Sequence, residues 1–175
     1  MTTQRIVLTG FRATGKTAVG QCLAQLYGWD FLDTDAEITS RLGYSISKLI
    51  KQEGWSGFRE QERALLLDLA QKQQAVIATG GGAILHQQEW ELLRQTALVI
   101  WLRTDLANTL ARLQQDSNTA GQRPLLNNRG ESLARETALL LAEREPLYHA
   151  GSDLVIETTG KTPEELAQLI LQHVK

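Results

Sequence analysis

The sequence predicts an α/β domain in which five parallel strands form one sheet between two layers of helix. Three observations predict it. Short β-type apolar runs alternate with stretches of 3.6-residue periodicity, and a glycine-rich octet stands where the first run passes into the first helical pattern. A chain of 175 residues suffices for one domain with a substantial core and is short for two. Alternation of this kind indicates right-handed crossovers and a parallel sheet covered on both faces.

The strands are predicted at 6–9, 30–32, 75–78, 98–102 and 154–156. The first is Ile6-Val7-Leu8, and the helix after it carries Ala18, Val19, Cys22, Leu23 and Leu26 on one side. Helical periodicity marks 16–27, 36–42, 46–52, 58–71, 88–95, 106–115, 133–148 and 163–174. The last has the strongest start signal, with Thr162 as N-cap, Pro163 at the first position and Glu164-Glu165 in the first turn. About forty residues of helix separate the second and third strands, more than a minimal crossover needs, so residues 34–62 are expected to form a substrate-holding insertion. Residues 114–130 are polar, glycine-dotted and unpatterned apart from Arg123-Pro124-Leu125-Leu126, as a lid would be.

Composition excludes several function classes. Net charge is −2, pI is near 5.9 and the basic residues are scattered, so no stripe suits a nucleic-acid duplex. The single cysteine, Cys22, excludes an internal disulfide and fits a reducing compartment. His86, His149 and His173 lack zinc spacing and are read as surface or incidental residues. The first strand is predicted to start directly after Arg5, so no leader is expected, and no apolar run reaches membrane-spanning length. The expectation is a cytoplasmic monomer that binds small anions, with no nucleic-acid or membrane partner.

The octet is Gly10-Phe11-Arg12-Ala13-Thr14-Gly15-Lys16-Thr17. Its G-x-x-x-x-G-K-[S/T] spacing between strand and helix is that of a phosphate loop: backbone N–H groups face an anion, Lys16 reaches the β and γ phosphates, and the Thr17 hydroxyl suits Mg²⁺. The helix N-terminus adds its partial positive charge. At ordinary residue frequencies such an octet arises in on the order of 1% of chains this long, too rarely for an ordinary turn.

A phosphate loop alone does not name the acceptor. Asp33-Thr34-Asp35 ends the second strand, where ligands of open parallel sheets bind; alternation is expected to send both carboxylates into the crevice, one toward Mg²⁺ through water and one toward an acceptor hydroxyl. The competing reading makes Asp35 only a helix N-cap. Arg59, opening a helix in the insertion, offers a planar fork for a carboxylate, or simply pairs with a neighbouring Glu. Gly80-Gly81-Gly82 follows the third strand, beside the phosphate loop, and suggests backbone close to a ligand. Arg123 in the expected lid would stabilise charge on the transferring phosphoryl group and help exclude water. Arg144 stands on an otherwise amphipathic helix, where pattern alone would equally make it a solvated charge.

Together these motifs resemble the shikimate kinase family over nearly the whole chain: the phosphate loop, Phe31-Leu32-Asp33-Thr34-Asp35, Gly57-Phe58-Arg59, Thr79-Gly80-Gly81-Gly82, Arg123-Pro124-Leu125-Leu126, and Arg144 with Pro146-Leu147-Tyr148. The resemblance implies a three-layer P-loop NTPase fold of nucleoside-monophosphate-kinase type with a helical substrate-binding insertion and a lid. It implies ATP-dependent phosphorylation of the 3-hydroxyl of shikimate on the way to chorismate and the aromatic amino acids, with ATP as co-substrate and Mg²⁺ as cofactor. Carried over residue by residue, it places nucleotide contacts at Gly10, Ala13, Thr14, Gly15, Lys16, Thr17 and Ala18. Thr17 would be the Mg²⁺ ligand, with Asp33 acting through water. Asp35 would bind the ring hydroxyls and orient or deprotonate the acceptor, so Asp35, Lys16 and Arg123 form the catalytic set. Arg59 and Arg144 would hold the shikimate carboxylate, with a Gly81 N–H beside them. Arg123 would reach the phosphates, Arg112 and Pro163 would flank the adenine, and Lys161 falls where the family often has another nucleotide contact.

The sequence departs from the family pattern at Ala13, where the loop usually has glycine. Ala tolerates positive φ poorly, so either the backbone there is ordinary or the loop is remodelled. Two rivals differ in predictable ways. Another small-molecule kinase, such as a gluconate kinase, would share the phosphate loop but lacks a reason for the full motif set. A GTPase switch would carry Asn-Lys-x-Asp, which does not occur in this sequence.

Overall fold

Strict alternation along the strands decides the layers. The computed structural model describes residues 5–115 and 132–173, and its five strands are β1 (Arg5–Thr9), β2 (Asp30–Asp33), β3 (Ala75–Ala78), β4 (Ala97–Arg103) and β5 (Leu154–Glu157). All pairings are parallel, in the order β2-β3-β1-β4-β5. Val7, Ile77, Val99 and Trp101 point into one core, while Ile6, Leu8, Val76, Ile100 and Leu102 point into the other. Because both faces of the central strands β1, β3 and β4 are buried, these read as continuous apolar runs, whereas the edge strands β2 and β5 are partly exposed and carry acidic residues at their ends.

The helices are α1 (Lys16–Tyr27), α2 (Thr34–Leu42), α3 (Ile46–Leu69), α4 (Gln87–Arg94), α5 (Leu106–Gln115), α6 (Leu133–Ala150) and α7 (Pro163–Leu171). The first core receives Leu49, Phe58, Leu65 and Leu66 from α3, Trp90 from α4 and Tyr148 from α6. The second receives Val19 and Leu23 from α1 and Leu166 and Ile170 from α7. Each of these large apolar side chains, withdrawn from water, contributes roughly 1.5–3 kcal/mol. The start of α7 matches its sequence signal: Thr162 Oγ1 accepts from the Glu165 N–H at 3.2 Å and the Glu165 carboxylate accepts from the Thr162 N–H at 2.8 Å.

Three local findings differ from the sequence reading. The expected helices at 46–52 and 58–71 run together as α3, broken at Gly54 (φ 72°, ψ −175°), a left-handed conformation that glycine adopts without a Cβ penalty. A 3-10 turn, Ala83–Leu85, follows the glycine triplet. The second helix begins at Thr34, so only Asp33 is extended (φ −103°, ψ 121°) and Asp35 lies in the first turn of α2. Two-residue alternation therefore does not relate the two aspartates. The cap of α2 is Asp33, not Asp35: Asp33 Oδ1 accepts from the N–H groups of Asp35 at 3.0 Å and Ala36 at 3.3 Å.

Since every strand runs the same way, the carboxyl ends share one edge. That edge carries the phosphate loop, Asp33 and Asp35, the glycine triplet, and the start of α7.

Candidate active site

The phosphate loop gathers donors around an anion-sized space. Helix α1 has Gly15 as N-cap (φ 90°, ψ 14°), with no side chain closing its N-terminal N–H groups and no acid in its first turn. Open donors and the positive end of the dipole thus meet at one point, with Thr17 and Ala18 exposed beside it. Gly10 (φ 134°) passes so close to β4 that a Cβ would run into the Leu102 carbonyl. The buried Lys16 ammonium lies within the curl of the loop, donating to the carbonyls of Gly10 at 3.0 Å and Phe11 at 2.6 Å. Thr14 Oγ1 donates to the Phe11 carbonyl at 2.9 Å and stiffens the same turn.

Ala13 has φ 61°, so the loop keeps a left-handed backbone where a Cβ is unfavourable, at roughly 1–2 kcal/mol. Of the two states the sequence left open, the ordinary backbone is therefore excluded. The Ala13 carbonyl accepts from Arg112 Nη1 of α5 at 3.2 Å, which ties the loop to the neighbouring helix.

Thr17 Oγ1 donates to Asp33 Oδ2 at 2.8 Å. With Asp33 Oδ1 held by the start of α2, the carboxylate presents a fixed, oxygen-rich corner beside the open end of α1. Two hard oxygen donors and no soft ligand suit Mg²⁺, which keeps most of its waters and takes one or two protein oxygens plus phosphate. Among the described residues no cluster of three or more His, Cys, Asp or Glu side chains forms a self-sufficient metal cage.

The neighbouring pocket is built by buried charge around the glycine triplet. The Gly80 N–H donates to Thr34 Oγ1 at 2.8 Å, which fastens the turn to the start of α2. The Gly81 carbonyl accepts from Arg144 Nη1 at 3.2 Å and from the Tyr148 hydroxyl at 2.5 Å, both on α6. Burial pushes the Tyr148 phenol up to about 12, so it remains a donor at any physiological pH. At Gly82 a Cβ would enter the guanidinium of Arg59. The third glycine thus makes room for a cation, and its neighbour anchors another.

Arg144 is 6% exposed, which excludes the solvated-charge reading. Its guanidinium carbon lies 6.0 Å from the centre of the Phe11 ring, so it faces the phosphate loop. The Arg59 side chain, 24% exposed, rests against the rings of Phe58 (5.4 Å) and Trp55 (5.8 Å) and forms an ion pair through Nη1 with Glu62 Oε2. The Glu62 side chain is 1% exposed, and the same oxygen lies 3.0 Å from His86 Nε2. Burial alone would push the Glu62 carboxyl up, but His86 and Arg59 together hold it below its ordinary value.

The expected nucleotide residues of the second half converge as well. Ala13, Thr14, Arg112, Lys161 and Pro163 line one cleft of about 560 Å³ beside the phosphate loop, with Lys161 Nζ donating to the Glu157 carbonyl at 3.2 Å. Arg123, and the expected lid from residue 116 on, lie outside the described residues.

Residues 12–175 match the sequence profile of the shikimate kinase family. The chain belongs to that family. A shikimate kinase from Moorella thermoacetica is 42% identical over 97% of this chain and 94% of its own. Among solved structures, shikimate kinase from Acinetobacter baumannii in complex with shikimate superposes with a TM-score of 0.89 at 38% identity, covering 98% of this chain and 92% of that one. A gluconokinase from Sinorhizobium meliloti shares the fold alone, at a TM-score of 0.56 and 13% identity over 99% and 93% of the two chains. As a shikimate kinase family member the chain is a phosphotransferase with ATP as co-substrate, on the five-stranded parallel α/β fold the sequence predicts. Among the described residues no helix is long and apolar enough to cross a membrane.

The neighbouring Glu that the sequence offers as a partner of Arg59 is Glu62, and beneath this candidate site the sequence reading missed only that His86 joins the pair. Glu62 stands three residues after Arg59 on α3, a spacing that places the two on one helix face and was available as a signal. Reading His86 as incidental is corrected: its side chain is 12% exposed and engages Glu62. Nothing in its sequence neighbourhood marks it, because its partner is 24 positions away.

Proposed function

We propose that this chain transfers the γ-phosphoryl group of ATP to the 3-hydroxyl of shikimate, giving shikimate 3-phosphate and ADP. The observation that carries the reading is the placement of two guanidiniums, Arg59 against Gly82 and Arg144 on the Gly81 carbonyl, at neighbouring residues of one glycine turn next to the phosphate loop. Such a pair suits a planar carboxylate and gives a neutral sugar no comparable anchor. The solved relative bound to shikimate supports the same acceptor.

In this reading Arg59 and Arg144 bind the carboxylate and a Gly81 N–H donates to the acceptor. Asp35 then holds the ring hydroxyls from the first turn of α2. The 3-hydroxyl oxygen bonds to the γ phosphorus as the bridge to the β phosphate breaks, and its proton passes to Asp35. Lys16 and the open N–H groups of α1, including those at Gly15, Thr17 and Ala18, hold the phosphates in line, so positioning and charge stabilisation supply most of the catalysis. Thr17 and, through water, Asp33 would hold Mg²⁺, which neutralises charge on the β and γ oxygens when bound. Arg112, Lys161 and Pro163 would form the nucleotide cleft, with Gly10, Ala13 and Thr14 shaping the loop and Arg123 adding positive charge at the phosphates. Residues 34–62 would serve as the substrate-binding part and residues 114–130 as the lid. The working unit would be a monomer in the cytoplasm. A coupled assay of ADP release tests the reading: release should require shikimate and should be absent with gluconate. Equal rates with the two acceptors, or release independent of either, would overturn it.

A further inference from the structure

Two donors converge on a single buried oxygen beneath the acceptor pocket. Glu62 Oε2 pairs with Arg59 Nη1 and lies 3.0 Å from His86 Nε2, and both Glu62 and His86 are shielded from water. Any charge His86 gains is therefore felt by Arg59 through the carboxylate they share. We propose that His86 is a protonation-dependent positioning residue, which through Glu62 sets how strongly Arg59 holds an anionic carboxylate. The inference rests on the reading of Arg59 as a carboxylate anchor.

The charges around this group leave the imidazole as its variable member. From α3, Arg59 and Arg63 stay protonated over the whole working range. Glu62 stays ionised, because His86 and Arg59 outweigh its burial. From α4, Glu89 pairs with Arg63 (Oε1 to Nε 2.6 Å), and that pair cancels. From α6, Arg144 stays charged and the Tyr148 phenol stays neutral up to about 12. An imidazole is the side chain of this set whose type changes charge between pH 5 and 8. With neutral His86, the charges of Arg59 and Glu62 cancel. With protonated His86, Glu62 is shared between two cations and the group carries a net positive charge toward the pocket. Low dielectric magnifies that difference, so an anionic acceptor binds more tightly to the protonated form. Binding and protonation are linked reciprocally: the bound carboxylate must raise the pH at which His86 protonates by the same factor.

Shikimate affinity of the full chain should be measured by calorimetry from pH 6.0 to 8.5, in parallel for the wild type, His86→Gln and Arg59→Lys. Gln keeps a neutral donor for Glu62 and removes the titration. The wild type should bind shikimate about three- to tenfold more tightly at the acid end, a coupling within the usual range. His86→Gln should lose this slope and stay near the affinity of the wild type at pH 8.5, with the effect on KM confined to shikimate rather than ATP. Arg59→Lys should weaken binding at every pH. If His86→Gln keeps the wild-type slope while Arg59→Lys weakens binding, the inference falls and the carboxylate anchor stands. If Arg59→Lys binds as the wild type does, the anchor falls and the inference with it. Should His86→Gln fail to fold, the imidazole titration of the wild type, followed by NMR with and without shikimate, decides the matter: an upward shift of about 0.5–1 pH unit is expected, and no shift overturns the proposal.

Discussion

The proposed phosphate end of the site is built of main chain that is contiguous in sequence, whereas the proposed acceptor end is built of side chains drawn from across the chain. Between Gly10 and Ala18 the donors are open N–H groups at a helix start, and one buried lysine completes them. Around Gly80–Gly82 the structure instead assembles Thr34, Arg59, Glu62, His86, Arg144 and Tyr148. A loop of nine residues can specify phosphate, because every NTP offers the same tail. Recognition of one acceptor requires charges placed individually, and each buried charge then needs a partner behind it.

If the two ends act separately, a change at the proposed proton acceptor should stop turnover and leave the nucleotide bound. Asp35→Asn should lower kcat by about 10²- to 10⁴-fold, the usual range for a positioned acid–base group, with the dissociation constant for ATP changed by less than about threefold. Stopped-turnover and calorimetric measurements check the pair of values. A comparable loss of ATP affinity would show that the ends are one unit.

The next effect belongs to the acceptor end alone. Gly82→Ala would place a Cβ where the Arg59 guanidinium lies. The arginine must then move, and steady-state kinetics should show KM for shikimate raised about 10- to 100-fold with KM for ATP nearly unchanged. Parallel rises in both constants would contradict the division.

Glu62→Gln removes charge behind the pocket instead of within it. Its folded-state carboxyl is held below the ordinary value of 4.5, so it contributes stability that is fully present above that pH and is lost as pH falls through the folded value. Replacement should destabilise the chain by about 1–3 kcal/mol at pH 7, a range reduced because Arg59 can still reach water. Denaturant unfolding of the two proteins should draw together as pH falls below 4.5 and through the folded value. A difference that persists at low pH would assign the effect to packing.

The same contrast explains what could be read from sequence. The central strands are legible because burial on both faces makes them uniform apolar runs, the shorter edge strands because they alternate with helical periodicity, and the phosphate loop because its chemistry fits in one octet. Arg59, Arg144 and the glycine triplet were recognisable as a set through the family resemblance, although pattern alone left Arg144 open between burial and solvent. Glu62 is legible only as the neighbouring Glu that Arg59 pairs with three residues along α3, while its contact with His86 exists only once α3 and the turn after β3 are brought together. The Asp33 cap was misassigned for a smaller reason: where the strand ends and the helix starts, one residue decides which aspartate closes the helix, and periodicity does not resolve one residue.

The smallest expected effect lies in the phosphate loop, and it probes how far main-chain geometry alone defines that end. Ala13 holds φ 61°, a conformation that glycine adopts freely and alanine only at roughly 1–2 kcal/mol. Ala13→Gly relieves that penalty, but the freer unfolded chain offsets about 0.4–1 kcal/mol of it. The net should be a gain of about 0–1.6 kcal/mol, or a rise in Tm of up to about 6 °C for a chain of this size. The hydrogen bond from Arg112 goes to the Ala13 carbonyl and survives the substitution, so KM for ATP should change by less than about threefold. Thermal unfolding together with ATP kinetics checks both values. A clear fall in Tm would mean that the Cβ makes a contact worth more than the backbone penalty, and the phosphate end would then depend on side chains much as the acceptor end does.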